Sequence, residues 1–158
     1  MFQKPFYNFL YSLFLVLITA GFCSYFNRVG MENFYSQINL SGFTPPNAVF
    51  PIVWIVLYAL LVFSFDDILN SGNKERIRAA ATVFTLNLFL QVLWTYVFFY
   101  NAYFFGGLVV LVILDLLTMI MFWLFYEISH IAGLTIIPYF IWLLFATYLN
   151  WAVVVLNA

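Results

Sequence analysis

The sequence predicts an all-α integral membrane protein, a bundle of five transmembrane helices in one domain. Three observations predict it. Of 158 residues, 66% are hydrophobic and only 7% are charged, where a soluble domain carries roughly a quarter charged residues. The uncharged stretches are long enough to cross a bilayer core of about 30 Å, which takes about 20 helical residues. Those stretches are apolar on every face, whereas strands of a membrane barrel would alternate over short segments.

The first span, about 6–26, lies between Lys4 and Arg28. Its uncharged run is longer than the core of a secretory signal, and no small-x-small cleavage pattern stands near Cys23. It reads as a retained helix. The second, about 47–66, follows Pro45 and Pro46 and carries Pro51 in its first turn, where proline is tolerated. The run from Ala79 to Tyr126 holds a single charge, Asp115. As one helix it would be about 72 Å long, so Asn101, Gly106 and Gly107 are expected to break it into spans at about 79–100 and 105–126. The fifth span, about 133–156, contains Pro138, which frees a carbonyl and bends the helix.

Lys4, Lys74, Arg76 and Arg78 fall on one side of this topology and Arg28 on the other. The positive-inside rule then places the N-terminus inside and the C-terminus outside. Residues 28–46 form the one long connection and are expected to act as a mobile lid. The polar loop 66–78 reads as a solvated hinge. Aromatic residues near the span ends suit interface belts. A net charge of −1 argues against a nucleic-acid partner, which needs a basic face. The single cysteine, Cys23, excludes a disulfide scaffold and reads as packing. Lone His130 reads as interfacial rather than as an iron ligand, and no metal site is expected.

Polar groups at depth carry the functional signal. Centring each helix puts the midplane at about residues 57, 90, 115 and 144 of helices two to five. Trp54 and Tyr58 are spaced i, i+4. Asn87, Gln91 and Trp94 are i, i+4, i+7. Pro138, Trp142, Ala146 and Asn150 step by four. Each set should share a helix face. If the three faces meet, they wall a cavity of indoles, phenols and a few amides suited to a flat apolar ligand with polar edges. The alternative is that the amides are interhelical glue and the rings are packing. Asp115, the one acid at mid-depth, is expected to be protonated or hydrogen-bonded to Gln91 or Asn87, in a structural or ligand-tuning role.

Two segments resemble a known family. The stretch from Phe43 to Tyr58, F-T-P-P-N-A-V-F-P-I-V-W-I-V-L-Y, is similar to the signature W/F-x-P-P-x-W-x-F-x-x-x-W-x-x-L-Y of the TspO/MBR proteins. These are the translocator proteins, also known as tryptophan-rich sensory proteins or peripheral benzodiazepine receptors. From Pro138 to Asn157, P-Y-F-I-W-L-L-F-A-T-Y-L-N-W-A-V-V-V-L-N resembles the family's C-terminal motif. The resemblance extends over nearly the whole chain. It implies a five-helix bundle, usually a homodimer, in a prokaryotic cell membrane or a mitochondrial outer membrane. Its ligands would be porphyrins such as protoporphyrin, sterols, and synthetic benzodiazepine-type compounds, bound among the helices beneath the first loop.

Carried over by position, Trp54 and Trp142 match the two tryptophans tied to porphyrin binding and its light-dependent breakdown. Tyr58, Ala146 and Leu149 match further walls, Asn150 the asparagine of the last motif, and Phe43 and Pro45 the head of the first. Three departures stand out. Ala48 replaces a common tryptophan. The usual Q-x-x-x-N of helix three is exchanged to Asn87 and Gln91. No basic tail follows Asn157 to complete a cholesterol motif, which weakens the expectation of sterol recognition.

The leading expectation is a membrane receptor or sensor for tetrapyrroles, with no cofactor required and porphyrin as ligand. The alternatives are a slow porphyrin-degrading photoenzyme using Trp54 and Trp142, and a porphyrin or sterol transporter. The absence of an acid–base or nucleophile set argues against ordinary catalysis, and the absence of a repeat against a transporter. Helix three, through Ala80, Ala81, Phe84 and Leu88, is the expected dimer face, and membrane lipids are the expected surroundings.

Overall fold

A computed structural model describes residues 3–71 and 74–158. Five helices, each long and apolar enough to cross a membrane, follow in order: α1 (Gln3–Asn33), α2 (Val49–Asn70), α3 (Lys74–Thr95), α4 (Phe104–Ile128) and α5 (His130–Leu156). They pack as a closed ring in which α1 touches α2, α2 touches α5, α5 touches α4, α4 touches α3, and α3 returns to α1. Large apolar side chains such as Phe14, Ile52, Phe89, Leu116 and Ile141 remain exposed on the outside of the ring. In water such a surface would drive aggregation; in lipid it is the normal exterior.

The helices run further than their uncharged cores. α1 continues past Arg28 to Asn33, because Arg28 Nε donates to Glu32 Oε1 at 2.8 Å one turn on and polar residues end a hydrophobic count without ending a helix. The first connection therefore begins at Phe34 and holds a short 3-10 turn, Tyr35–Gln37. α2 starts just after Pro45 and Pro46, with Pro51 in its first turn. α3 passes into a π-helical turn, Tyr96–Tyr100, and Asn101 N donates to Tyr96 O at 3.0 Å. The break then falls at residues 101–103, where Ala102 has φ of 51°, and Gly106 and Gly107 lie in the first turn of α4 rather than in the break. Only Ser129 separates α4 from α5. Its hydroxyl accepts from Ala132 N at 3.3 Å as an N-cap and donates to Asp67 of α2. Gly133 permits this tight hairpin, since a Cβ there would stand 2.6 Å from the Tyr126 backbone.

Packing is densest in the half near the α4–α5 hairpin. Phe65 stacks on Phe84 with centroids 4.0 Å apart and planes at 10°, and Phe125 extends the stack. Ala80, Phe84 and Leu88 are buried in this core and Ala81 packs against it. That corrects the expected dimer face: these side chains are consumed inside the chain's own bundle. The exposed side of α3 carries Leu86 and Phe89 instead.

Candidate functional site

The opposite half of the ring, toward the first loop, is hollow. A cavity of about 520 Å³ lies among α1, α2, α3 and α5, within the range of small-molecule sites. From α2 come Phe50, Trp54 and Tyr58, one per turn; from α3, Gln91, Trp94 and Thr95, followed by Phe98 and Phe99 of the π turn. From α5 come Ala146, Leu149, Asn150 and Val153, and from the loop, Tyr35, Leu40, Thr44 and Asn47. The phenol of Tyr35 is pushed above its ordinary pKa by burial, so it stays neutral.

Trp54 and Tyr58 lie side by side, ring centroids 5.4 Å apart and planes at 32°. Trp94 is held by its indole N–H, which donates to Asn150 Oδ1 at 3.2 Å. Asn150 is fixed in turn by donating to Phe104 O at 2.8 Å. Gly107 makes room for this asparagine: a Cβ there would sit 2.9 Å from its Oδ1 and 3.0 Å from Phe98 Cβ. Two successive hydrogen bonds thus set the plane of one wall from helices three, four and five.

Below the cavity the interior closes. Tyr139 is fully buried and its hydroxyl donates to Asn87 Oδ1 at 2.7 Å. Asn87 Nδ2 donates to Thr118 Oγ1 at 2.7 Å, which in turn donates to Leu114 O at 2.7 Å. Above, the loop is tied down. Asn39 N donates to Asn157 Oδ1 at 2.9 Å and Asn157 Nδ2 donates to Asn39 O at 2.9 Å. Ser41 Oγ and Tyr148 Oη are 3.2 Å apart.

The structure brings Trp54, Tyr58, Gln91, Trp94, Ala146, Leu149 and Asn150 together on the cavity wall. It places five other expected residues elsewhere. Asn87 belongs to the hydrogen-bond network beneath the floor. Asp115 accepts from Thr147 Oγ1 at 2.7 Å across the α4–α5 seam, not from Gln91 or Asn87. Phe43 is 76% exposed and packs its edge on Tyr148. Pro45 is half-buried in the loop, outside the lining.

Trp142 also stands off the wall, behind Phe50, with ring centroids 5.9 Å apart. Steps of four residues drift by about 40° each on an α-helix. Trp142 is therefore turned about 80° from Asn150 and lies about 12 Å deeper. One whole wall, on α1, lies outside the expected set: Ala20, Cys23, Ser24, Asn27 and Met31. Their spacing of i, i+3, i+4, i+7, i+11 is a helical stripe of mostly small residues, which was the available signal. Cys23, expected to be packing alone, lines the cavity while remaining buried.

The comparisons with known proteins agree with this architecture. The description "TspO/MBR family" fits residues 12–156. A "Tryptophan-rich protein TspO" of Archaeoglobus fulgidus is 34% identical over 145 residues, 91% of this chain and 94% of that protein. "Protein CrtK" of Rhodobacter capsulatus is 31% identical over 124 residues, 78% of each chain. A "Tryptophan-rich sensory protein" of Cereibacter sphaeroides is 29% identical over 126 residues, 80% of this chain and 78% of that one. With five apolar membrane-length helices and a match over nearly its whole length, this multi-pass membrane protein belongs to the TspO/MBR family.

Proposed function

We propose that the protein is an intramembrane receptor of the sensor type for tetrapyrroles and similar flat, hydrophobic molecules, held in the cavity beneath the first loop. The observation that carries this reading is the cavity of about 520 Å³ faced by Trp54, Tyr58, Trp94, Phe98 and Phe99. Ring faces of this kind favour a planar π-system, and each good aromatic contact adds about 0.5–1.5 kcal/mol beyond area burial. Asn27, Thr44 and Asn47 give the loop end of the cavity a polar mouth, suited to the polar rim of such a ligand. Benzodiazepine-type compounds offer aromatic faces and a largely apolar surface of similar kind. The N-terminus lies on the cytoplasmic side of a prokaryotic cell membrane in this reading, because Lys74, Arg76 and Arg78 gather at the N-terminal end, where Asn8 meets Asn70 at 2.8 Å. The cavity then sits in the outer half of the bilayer.

The test is to titrate protoporphyrin into protein in nanodiscs and follow tryptophan quenching and the Soret band. Saturable quenching at one ligand per chain is expected; linear quenching without saturation would mean partition into lipid. Illumination of the saturated complex separates receptor from photoenzyme. Loss of the Soret band beyond that of free porphyrin would favour the second, for which Trp54 is the indole in position.

A further inference from the structure

Two carboxamides sit one turn apart on α3 and have opposite fates. Asn87 is saturated by Tyr139 and Thr118. Gln91 is equally buried, 1% exposed, yet among the described residues neither its Nε2 nor its Oε1 has a hydrogen-bond partner. Gln91 is the deepest residue that α3 contributes to the cavity, as Tyr58 is for α2 and Ala146 for α5, so it stands at the floor. Leaving a buried donor and acceptor both unpaired costs about 1–3 kcal/mol each, and the nearby Asn87 network shows that the bundle can pair an amide where it has only a structural task. Of the other polar residues facing the cavity, Asn27, Thr44 and Asn47 lie at its mouth, Thr95 donates to backbone carbonyls of its own helix, Asn150 is occupied with Trp94 and Phe104, and Tyr58 brings a single hydroxyl to the floor, where Gln91 brings a donor and an acceptor together.

We infer that Gln91 is the polar anchor of the cavity floor and that the bound molecule offers it an adjacent donor and acceptor on an otherwise apolar ring system. Two chemistries present that pair: the N–H/C=O edge of a cyclic lactam, and a protonated carboxylic acid. Either forms two parallel hydrogen bonds with a carboxamide. The inference rests on the cavity being the ligand site, and it adds which end of the ligand goes in first and what that end carries.

The test uses five small probes of one ring size against protein in nanodiscs. They are phenanthrene, phenanthridin-6(5H)-one, its N-methyl derivative, phenanthrene-9-carboxylic acid and the methyl ester of that acid. The proteins are wild type, Gln91→Met and Gln91→Leu; removing an unpaired buried amide should leave thermal stability unchanged or raised, which is checked first. In wild type the N–H lactam should bind about tenfold more tightly than its N-methyl derivative. If the acid is the fitting chemistry, it should beat its ester by a similar factor, increasingly so as pH falls. Both Gln91 variants should shrink the preference below about twofold while phenanthrene still binds saturably, as tightly as to wild type or more so. Phenanthrene binding without either preference in wild type, or with a preference that survives in both variants, overturns the anchor and leaves the cavity reading intact. If no probe, phenanthrene included, binds wild type saturably, the cavity reading falls as well.

Discussion

Asn39 and Asn157, 118 residues apart, exchange two hydrogen bonds of 2.9 Å, the side chain of one pairing with the backbone N–H and C=O of the other. The Asn157 carboxamide thereby acts as a short piece of β-ladder. It ties the middle of the first loop to the C-terminal end of α5, directly over a cavity that the same loop lines through Tyr35, Leu40, Thr44 and Asn47. Exposed bonds of this kind are each worth about 0.5–1.5 kcal/mol net, so the latch holds the loop closed and still permits opening.

Asn157→Ala should accordingly release the loop. Amide exchange at residues 38–44 is expected to rise by about tenfold, with ligand dissociation accelerated and the five helices unchanged. Hydrogen exchange followed by mass spectrometry checks this. Equal protection in the variant and wild type would show that Ser41, Tyr148 and the packing of Phe43 hold the loop without it.

The Trp94–Asn150–Gly107 arrangement predicts a steric effect. Gly107→Ala puts a methyl 2.9 Å from Asn150 Oδ1, so either α4 moves away or the asparagine turns and frees the Trp94 indole. Overpacking of this kind costs about 1–3 kcal/mol. The expected result is a lower unfolding midpoint and a shift in tryptophan emission; Gly21→Ala, where a Cβ meets nothing within 4 Å, should show neither.

Tyr139→Phe strands Asn87 Oδ1 beneath the cavity floor. A stability loss of about 1 kcal/mol is expected, because hydrogen bonds between membrane helices average near that size or below. Ligand affinity should change little, since neither Tyr139 nor Asn87 lines the cavity. A variant with unchanged stability and lost binding would place the site one turn deeper than described.

Number, order and approximate limits of the helices were legible in the sequence, because length and hydropathy are the bilayer's own selection rules. The clustering of Trp54 with Tyr58, and of Gln91 with Trp94, was legible too, since steps of one turn stay on one face. Trp142 stands off the cavity wall because two further turns at 3.6 residues each rotate it away from the face of Asn150. The partner of Asp115 could not be read from depth alone: Thr147 comes from α5 at the seam, and which helices are neighbours follows from ring order, not from span position. The wall on α1 was missed because small residues such as Ala20 and Ser24 leave space rather than fill it, and a count of aromatic and amide positions does not register space.

The most direct test of the central claim, that this cavity holds the ligand, is to fill it. Ala146 lies on the cavity wall, and Ala146→Phe adds a ring to the interior of the cavity. Protoporphyrin affinity in nanodiscs is measured for wild type, Ala146→Phe and Trp123→Phe, the last altering an indole 60% exposed on the outer surface. The account predicts a loss of more than about tenfold for Ala146→Phe, which is 1.4 kcal/mol, with Trp123→Phe within about twofold of wild type. Wild-type affinity in a folded Ala146→Phe protein would contradict it and put the porphyrin outside the bundle.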